Sequence, residues 1–371
     1  MSGSKLIYNK LLEKNVKDVF MYSGGAIMPL IDQFYKGKIN YFIPTNELSL
    51  GLSAVGYAKS TGKPGVCVVT SGPGLTNMVT SITDSNNDSS PLIVLSGQVP
   101  LNAMGTLAFQ ECPATKITKS VTKWSYCVKD VSEIPDVMDY AFYISQYGKP
   151  GSVHIDLPKC VLTTQYSINT TTNQTIYYNN FNKMPHYNCN RNDEFIRKIN
   201  DASNIINNSK KPILYVGKGA IDCQKQITEL VKYCNIPITT TLHAMGIFDE
   251  NEELSLKMVG MHGSMAANLS IQNSDLVIAI GSRFDDRTIG LPSEYAPNAK
   301  IIQINIDKNE ENKIINADIY FKNDVSFVLK YLFPKLNKQI SSIEWIEFIK
   351  NKKKNIFLIM KKPILLKLRM F

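Results

Sequence analysis

The stretch YFIPTNELSLGLSAVGYAKSTGKPGVCVVTSGPG, residues 41–74, runs from an extended apolar segment into a helical pattern, then into a second apolar run that ends in a glycine turn. Helix and extended segments in that alternation point to parallel strands covered by helices. One acid, Glu47, stands where the first run becomes a helix, with no His, Cys or second acid beside it. An acid in a first helical turn is favoured by the macrodipole and can satisfy free N–H groups. On local grounds its role is structural.

The same alternation extends to residue 165. Helical patterns cover KLIYNKLLEKN (5–15), AIMPLIDQFYKG (26–37), LTNMVTSITDS (75–85) and SEIPDVMDYAFYISQYG (132–148). Apolar runs cover KDVFMY (17–22), NYFIPT (40–45), GVCVVTS (65–71), PLIVLSG (91–97) and GSVHIDLP (151–158). Runs without alternation predict strands buried on both faces. The Asn/Thr-rich stretch TTQYSINTTTNQTIYYNNFN then breaks all periodicity and reads as a linker, residues 166–190. A second α/β unit follows over 191–335, with strands in KPILYVGKGA, IPITTT, SDLVIAIG and AKIIQINID and a helix in CQKQITELVKYCN. From about residue 335 the regularity fades into a basic tail, 336–371. The fold class expected is α/β, with two parallel-sheet domains.

A chain of 371 residues with 44% hydrophobic content can bury two cores. The formal charge of +9 is local: the last 21 residues hold seven Lys or Arg and no acid, leaving +2 for the rest. No aromatic residues interleave with basic ones as a nucleic-acid surface requires, so no nucleic acid is expected as a partner. No apolar run reaches spanning length and no targeting segment opens the chain, so no membrane partner is expected. Seven scattered cysteines without CxxC spacing read as reduced thiols, consistent with the cytoplasm or, for an organelle-encoded chain, the stroma or matrix.

Several turns sit where open parallel sheets bind ligands, at the carboxyl ends of strands. VTSGPGLTN (69–77) aims backbone N–H groups outward around Ser71 and Gly72, YSGGAIMP (22–29) carries Gly24 and Gly25, and GKG (217–219) is a third turn. None matches a Walker A loop or GxGxxG. GSRFDDRTIG (281–290) places Arg283, Asp285, Asp286 and Arg287 directly after an apolar strand, either to grip a carboxylate or phosphate or as a surface ion-pair network. AFQECP (108–113) offers an exposed-looking Phe-Gln-Glu, and DLPKC (156–160) ends a strand with Lys159. The four histidines, His154, His186, His243 and His262, lack ligand spacing, so no transition-metal site is expected. His154, in mid-strand, reads as core.

Taken in order, GGAI, TNEL…GYAKSTGKPGVCVVTSGPGLTN, VLSGQVP, AFQE, KPGSVHIDLPK, GMHG and GSRFDDR resemble the catalytic subunits of the acetolactate synthase (acetohydroxyacid synthase) family over residues 5–330. The resemblance implies a pyrimidine-binding domain for thiamine diphosphate (1–165) and a Rossmann-like central FAD-binding domain (191–335). It also implies decarboxylation of pyruvate and ligation to a second 2-keto acid, in branched-chain amino-acid biosynthesis. In that family one acid suffices: the position of Glu47 exchanges a proton with the aminopyrimidine ring of the cofactor. The resemblance likewise places Ser71, Gly72 and Asn77 at the cofactor and Gly24, Gly25 and Ala26 near its ring. Phe109 and Gln110 line the substrate pocket, with Lys159 at its entrance, and Met261 and Arg287 face the second substrate. FAD contacts fall to Lys149, Gly217, Gly219, His262, Gly263, Gly281, Arg283, Asp285, Asn305 and Asp324.

Some positions depart from the family. Ser23 replaces a proline, Asn46 and Leu48 flank Glu47 in place of His and Gln, and Cys160 replaces an Asp. Lys149 and Asn305 stand for an arginine and an acid, and polar SITDSNNDSSP (81–91) replaces an Ala-rich helix, which should weaken it. The family's third domain holds magnesium and the diphosphate through a Gly-Asp-Gly motif, and no GDG occurs here. The expectation is therefore a chain truncated before that domain, giving an incomplete synthase unless a separate chain supplies it. Mg2+ would depend on that domain, and a homodimer and a regulatory subunit are the other partners implied. A catalytically inactive flavin-binding or assembly protein, or another thiamine-diphosphate lyase or ligase, is the alternative.

Overall fold

A computed structural model describes residues 1–35, 37–167 and 191–360. The expected linker, apart from residues 166–167, and the end of the basic tail lie outside the described residues. The chain divides into two compact units, Met1–Tyr187 and Asn188–Phe371.

In the first unit, α1 (Gly3–Glu13), β1 (Asp18–Met21), α2 (Met28–Phe34), β2 (Asn40–Phe42), α3 (Glu47–Thr61) and β3 (Gly65–Val69) come first. Then follow α4 (Pro73–Thr76), α5 (Val79–Asn87), β4 (Leu92–Gln98), α6 (Ala114–Thr118), β5 (Trp124–Cys127), α7 (Ile134–Gln146), β6 (Ser152–Pro158) and α8 (Lys159–Thr163). The six strands pair in the order β2-β1-β3-β4-β6-β5, all parallel. Every residue of β3, β4 and β6 is buried, as uniform apolar runs require when helices cover both faces. The run at 40–45 behaves differently. β2 is an edge strand whose three residues are exposed, because one of its sides has no neighbour, and Phe42 stacks on Phe20 at 5.5 Å.

The second unit contains α9 (Asp193–Asn208), β7 (Pro212–Val216), α10 (Gln224–Cys234), β8 (Ile238–Thr240), β9 (Ser255–Met258), α11 (Met265–Asn273) and β10 (Leu276–Ile280). It continues with β11 (Lys300–Ile304), β12 (Ile319–Phe321), α12 (Val325–Leu332) and α13 (Ile343–Met360). Its parallel order, β12-β11-β10-β7-β8-β9, is 3-2-1-4-5-6 when counted within the unit and read from the other edge. That is the dinucleotide-binding order, with its switch point between β7 and β10. The regularity does not stop near residue 335. In α13, Trp345 and Ile349 are buried against the α11 side of the sheet, and Trp345 Nε1 donates to the Pro212 carbonyl at 3.0 Å. Of the described lysines on this helix, Lys354 is exposed and Lys350, Lys352 and Lys353 are half-buried. One of them, Lys353, donates to the carbonyls of Glu253 and Ser255, each at 2.8 Å.

Candidate functional site

The first sheet's switch point lies between β1, which connects outward to β2, and β3, which begins the run the other way. Glu47 sits at its carboxyl edge, as the first residue of α3. The structure settles what this acid does not do. Asn46 caps the helix, its side chain accepting the Ser49 N–H at 2.8 Å, and the Ser49 hydroxyl closes the box on the Asn46 N–H at 3.4 Å. The two amides of the capping box are therefore served without Glu47. Its carboxylate is buried, 9% exposed, and Oε2 accepts from Asn77 Nδ2 at 3.0 Å. The carboxylate is thus buried, engaged by one oxygen only, and on a helix that has its own cap.

Glycines let the neighbouring loops close around it. A Cβ on Gly24 would lie 2.3 Å from the Thr70 Cβ, and one on Gly74 would lie 2.8 Å from the Thr70 methyl and 3.8 Å from Glu47 Oε1. Gly72 has φ +57 and approaches the Gln110 carbonyl so closely that a Cβ would sit 2.7 Å from it. Gly97 in β4 gives Ala26 the same room, while Gly25 faces open space. Thr70 Oγ1 is buried there without a hydrogen-bond partner. An orphaned hydroxyl beside a half-engaged carboxylate, with Gly25 facing open space, fits a flat polar heterocycle such as the cofactor's pyrimidine. Gly24, Ala26, Glu47, Ser71, Gly72, Asn77 and Gln110 thus gather at one edge.

The loop from Val99 to Pro113 presents the next pair. Leu107 (φ +61) and Gln110 (φ +58) are non-glycine residues in the left-handed region, a strained arrangement that functional loops hold. Phe109 is 87% exposed. Glu111, whose carboxylate looked available for a ligand, is spent inside the loop on the Gly105 and Ala108 amides. Lys159 opens α8 and is exposed, and the Cys160 sulfur beside it accepts the Leu101 N–H at 3.4 Å. The polar substitutions in α5 do not dissolve it: the Ser81 hydroxyl donates to the Met78 carbonyl and that of Ser85 to the Ser90 carbonyl. Lys149 lies before β6, at the sheet's amino edge, away from Glu47, and its carbonyl takes Lys123 Nζ at 2.7 Å. At that amino edge a cavity of about 760 Å3 opens between Lys14, Asp18, Tyr57, Lys63 and Asp136, and it holds none of the residues singled out from the sequence.

In the second unit the switch point is made of backbone. Gly217 N–H donates to the Ile280 carbonyl and Gly219 N–H to that of Gly281, both at 2.9 Å, and Gly281 has φ +60. A Cβ on Gly217 would fall 2.5 Å from the Gly281 oxygen. Ser282 follows, buried, and the amide of Asn305 donates to its carbonyl at 3.0 Å while Asn305 Oδ1 accepts from Asp307 N–H. Buried Gln303 Oε1 and Thr240 Oγ1 lack partners at the carboxyl ends of β11 and β8. Arg283 pairs with Asp285 at 3.5 Å, and Asp285 also accepts from the Arg287 and Thr288 amides, shaping the turn. Asp324 accepts from Ser326 N–H as the cap of α12. Met261 N–H donates to the Arg287 carbonyl at 2.8 Å, so these two residues do meet, both with exposed side chains. Beside them Gly263 takes the only residue that fits, since a Cβ would lie 2.5 Å from the Met258 oxygen, and His262 is exposed.

Comparison with known proteins agrees with both halves. Residues 1–117 match the thiamine pyrophosphate enzyme N-terminal TPP-binding domain, and residues 199–332 match the thiamine pyrophosphate enzyme central domain. The chain belongs to the thiamine pyrophosphate enzyme family. Within it, the chain is homologous to acetolactate synthase catalytic subunits. It is 39% identical over 368 residues to the mitochondrial catalytic subunit of Saccharomyces cerevisiae, covering 95% of this chain and 53% of that one. It is also 39% identical to the isozyme 1 large subunit of Escherichia coli (94% and 60%) and 37% identical to the large subunit of Cyanidium caldarium (92% and 59%). The chain spans about half the length of the curated relatives it matches. No helix among the described residues is long and apolar enough to cross a membrane.

Proposed function

We propose that this chain performs acetolactate synthase chemistry, decarboxylating pyruvate and joining the remaining two carbons to a second 2-keto acid. The observation that carries the reading is Glu47, buried, bonded to Asn77 by one oxygen and relieved of helix capping by Asn46. Thiamine diphosphate, when bound, supplies the electron sink and the carbon nucleophile. Glu47 would hold and exchange one proton at Oε1, with Asn77 fixing its orientation, and the Thr70–Gly74 turn would seat the ring. Phe109 and Gln110 would border the substrate, and Lys159 would draw its carboxylate toward the edge. In the second unit, Arg287, beside Met261, is an exposed guanidinium suited to a carboxylate.

FAD is the dinucleotide proposed for the second switch point. The order 3-2-1-4-5-6, the three glycines and the orphaned Gln303 and Thr240 oxygens support it. Among the described residues there is no group of three or more His, Cys, Asp or Glu side chains placed to hold a metal ion. Magnesium is proposed to enter with the diphosphate of the cofactor, since phosphate oxygens, waters and one or two carboxylates suffice for this ion.

The test is acetolactate formation from pyruvate by the protein as isolated from its own cells, supplied with thiamine diphosphate, magnesium and FAD, beside Glu47→Gln. Product that disappears with the substitution supports the reading. Equal product from both proteins, or none from either, overturns it.

A further inference from the structure

Behind the carboxyl edge of the first sheet, buried polar side chains form a chain across three strands. Ser96, Gln98 and His154 are fully buried and Asp156 is 1% exposed. The directions follow from which atoms can donate. Asp156 accepts from the Ser96 hydroxyl at 2.7 Å on Oδ1 and from Gln98 Nε2 at 3.0 Å on Oδ2. Ser96, having given its proton away, must accept from His154 Nε2, 2.7 Å distant. His154 therefore carries its proton on Nε2, and Nδ1 accepts from the hydroxyl of Thr118 (2.8 Å) or Ser125 (3.1 Å). Burial keeps this imidazole neutral, lowering its pKa to about 3.

The same burial raises Asp156 to about 6, against the hydrogen bonds from Ser96, Gln98 and Cys127. The other titratable groups facing it are the Cys127 and Cys112 thiols, both raised chiefly by burial, with Lys129 and Glu133 beyond Cys127. Among the described residues no Lys or Arg pairs with Asp156.

Gln98 is where this chain of bonds meets the Val99–Pro113 loop. Its Nε2 donates to the Cys112 carbonyl at 3.1 Å as well as to Asp156, and its Oε1 accepts the Val99 N–H at 2.9 Å. One amide thus ties together the first residue of the loop and the residue two past Gln110. No apolar side chain could make these bonds, and a carboxylate there would face Asp156. The loop so closed contains the left-handed residues Leu107 and Gln110, a conformation that persists only where the surroundings hold it.

We propose that Gln98 and Asp156 are positioning residues. The Asp156 carboxylate orients the Gln98 amide, and Gln98 staples both ends of the loop so that Phe109 and Gln110 are held at the Glu47 edge. The functional half of this inference rests on the role given to Phe109 and Gln110 above; the staple does not.

Hydrogen exchange and His154 15N shifts test it on the intact chain. Gln98→Met should speed amide exchange across residues 99–112 by about tenfold or more, with the second unit's strands unchanged, as expected for losing a bond to a charged group. Asp156→Asn keeps an acceptor for Gln98 but turns a donor toward Ser96. Ser96 must then donate to His154 Nε2, moving the imidazole proton to Nδ1, and loop exchange should rise only a few-fold. The tautomer reversal is a signature that simple loosening would not give. Unchanged loop exchange in Gln98→Met overturns the proposal, and so does a His154 that stays protonated on Nε2 in Asp156→Asn. Should Gln98→Met not fold, Asp156→Asn supplies both readouts. Neither needs turnover, so a failure of the proposed reaction would show separately, as acetolactate formation that ignores Glu47.

Discussion

At the first switch point the distinctive group is a side chain: Glu47, one oxygen on Asn77, framed by glycines that bring Thr70 and Gln110 close. At the second it is backbone: Gly217, Gly219 and Gly281 interlock through their own amides, and the nearby polar side chains of Asn305, Asp285 and Asp324 are committed to turns and caps. Both sheets are six-stranded and parallel, and both offer a ligand the same carboxyl edge. The difference lies in what each edge presents. A carboxylate side chain is able to exchange a proton, whereas backbone amides and carbonyls bind, and the reading proposed above gives the first edge the proton exchange and the second the dinucleotide.

The sharpest way to break that division is Glu47→Gln. Gln keeps an acceptor for Asn77 and removes the exchangeable proton, so acetolactate formation should fall by about 10²- to 10⁴-fold with an unchanged melting temperature. A steady-state assay beside a thermal melt checks both halves. In the second unit, Gly217→Ala places a methyl 2.5 Å from the Gly281 oxygen, a backbone atom that cannot step aside. It should lose bound flavin and destabilise its unit by roughly 1–3 kcal/mol. Flavin fluorescence after gel filtration and a urea melt would show it. Retained flavin would mean that the crevice is not the cradle.

A smaller, pH-dependent effect belongs to the first sheet alone. His154 falls from an ordinary value of about 6.5 to about 3 on folding, so its contribution is present above about pH 6.5 and is lost as pH falls toward 3. Asp156 rises from about 3.9 to about 6, so its contribution is full below about pH 4 and is lost as pH rises through 6. Between about pH 4 and 6 the two slopes, each about 1.4 kcal/mol per pH unit, oppose one another. Exchange-derived stability of β4 and β6 should be nearly level there in the wild type. Asp156→Asn should instead lose stability steadily with acid below about pH 6.5, and a flat profile in that variant would remove the argument.

Much of this was legible in the sequence because it rests on uniform patterns. VCVV and LIVL have no alternation, and that alone predicts buried parallel strands, which the pairing register bears out. Other features depend on contacts that no local pattern carries. NYF reads as a buried run but becomes an exposed edge, since nothing in three residues says whether a neighbour will pair. The lysine-rich helix after residue 342 hides its docking face, because Trp345 and Ile349 are only two anchors among many charges. Glu47 could be read locally as a capping acid. Only the position of Asn46 and the reach of Asn77, thirty residues on, show that it is not the cap. The Gln98 staple was missed for the same reason: a polar residue ending an apolar run looks like a strand boundary, and its partners lie fourteen and fifty-eight residues away.

The smallest effect expected is also a test of how the substrate loop is held. Leu107 has φ +61 and is 95% exposed, so its side chain gains little from burial while its backbone bears a left-handed conformation. Leu107→Gly removes a strain of about 1–2 kcal/mol and adds roughly 0.5–1 kcal/mol of unfolded-state entropy. The two partly offset, leaving the first unit between unchanged and about 1.5 kcal/mol more stable by urea midpoint. The comparable glycine of the second unit, Gly281, sits in the same region of φ but is hemmed in by the Gly219 backbone at 2.5 Å, so it tolerates no such exchange in reverse. A clear loss of stability in Leu107→Gly would mean that the leucine makes a contact its exposure conceals. The loop would then be held from its tip as well as from the Gln98 staple at its base.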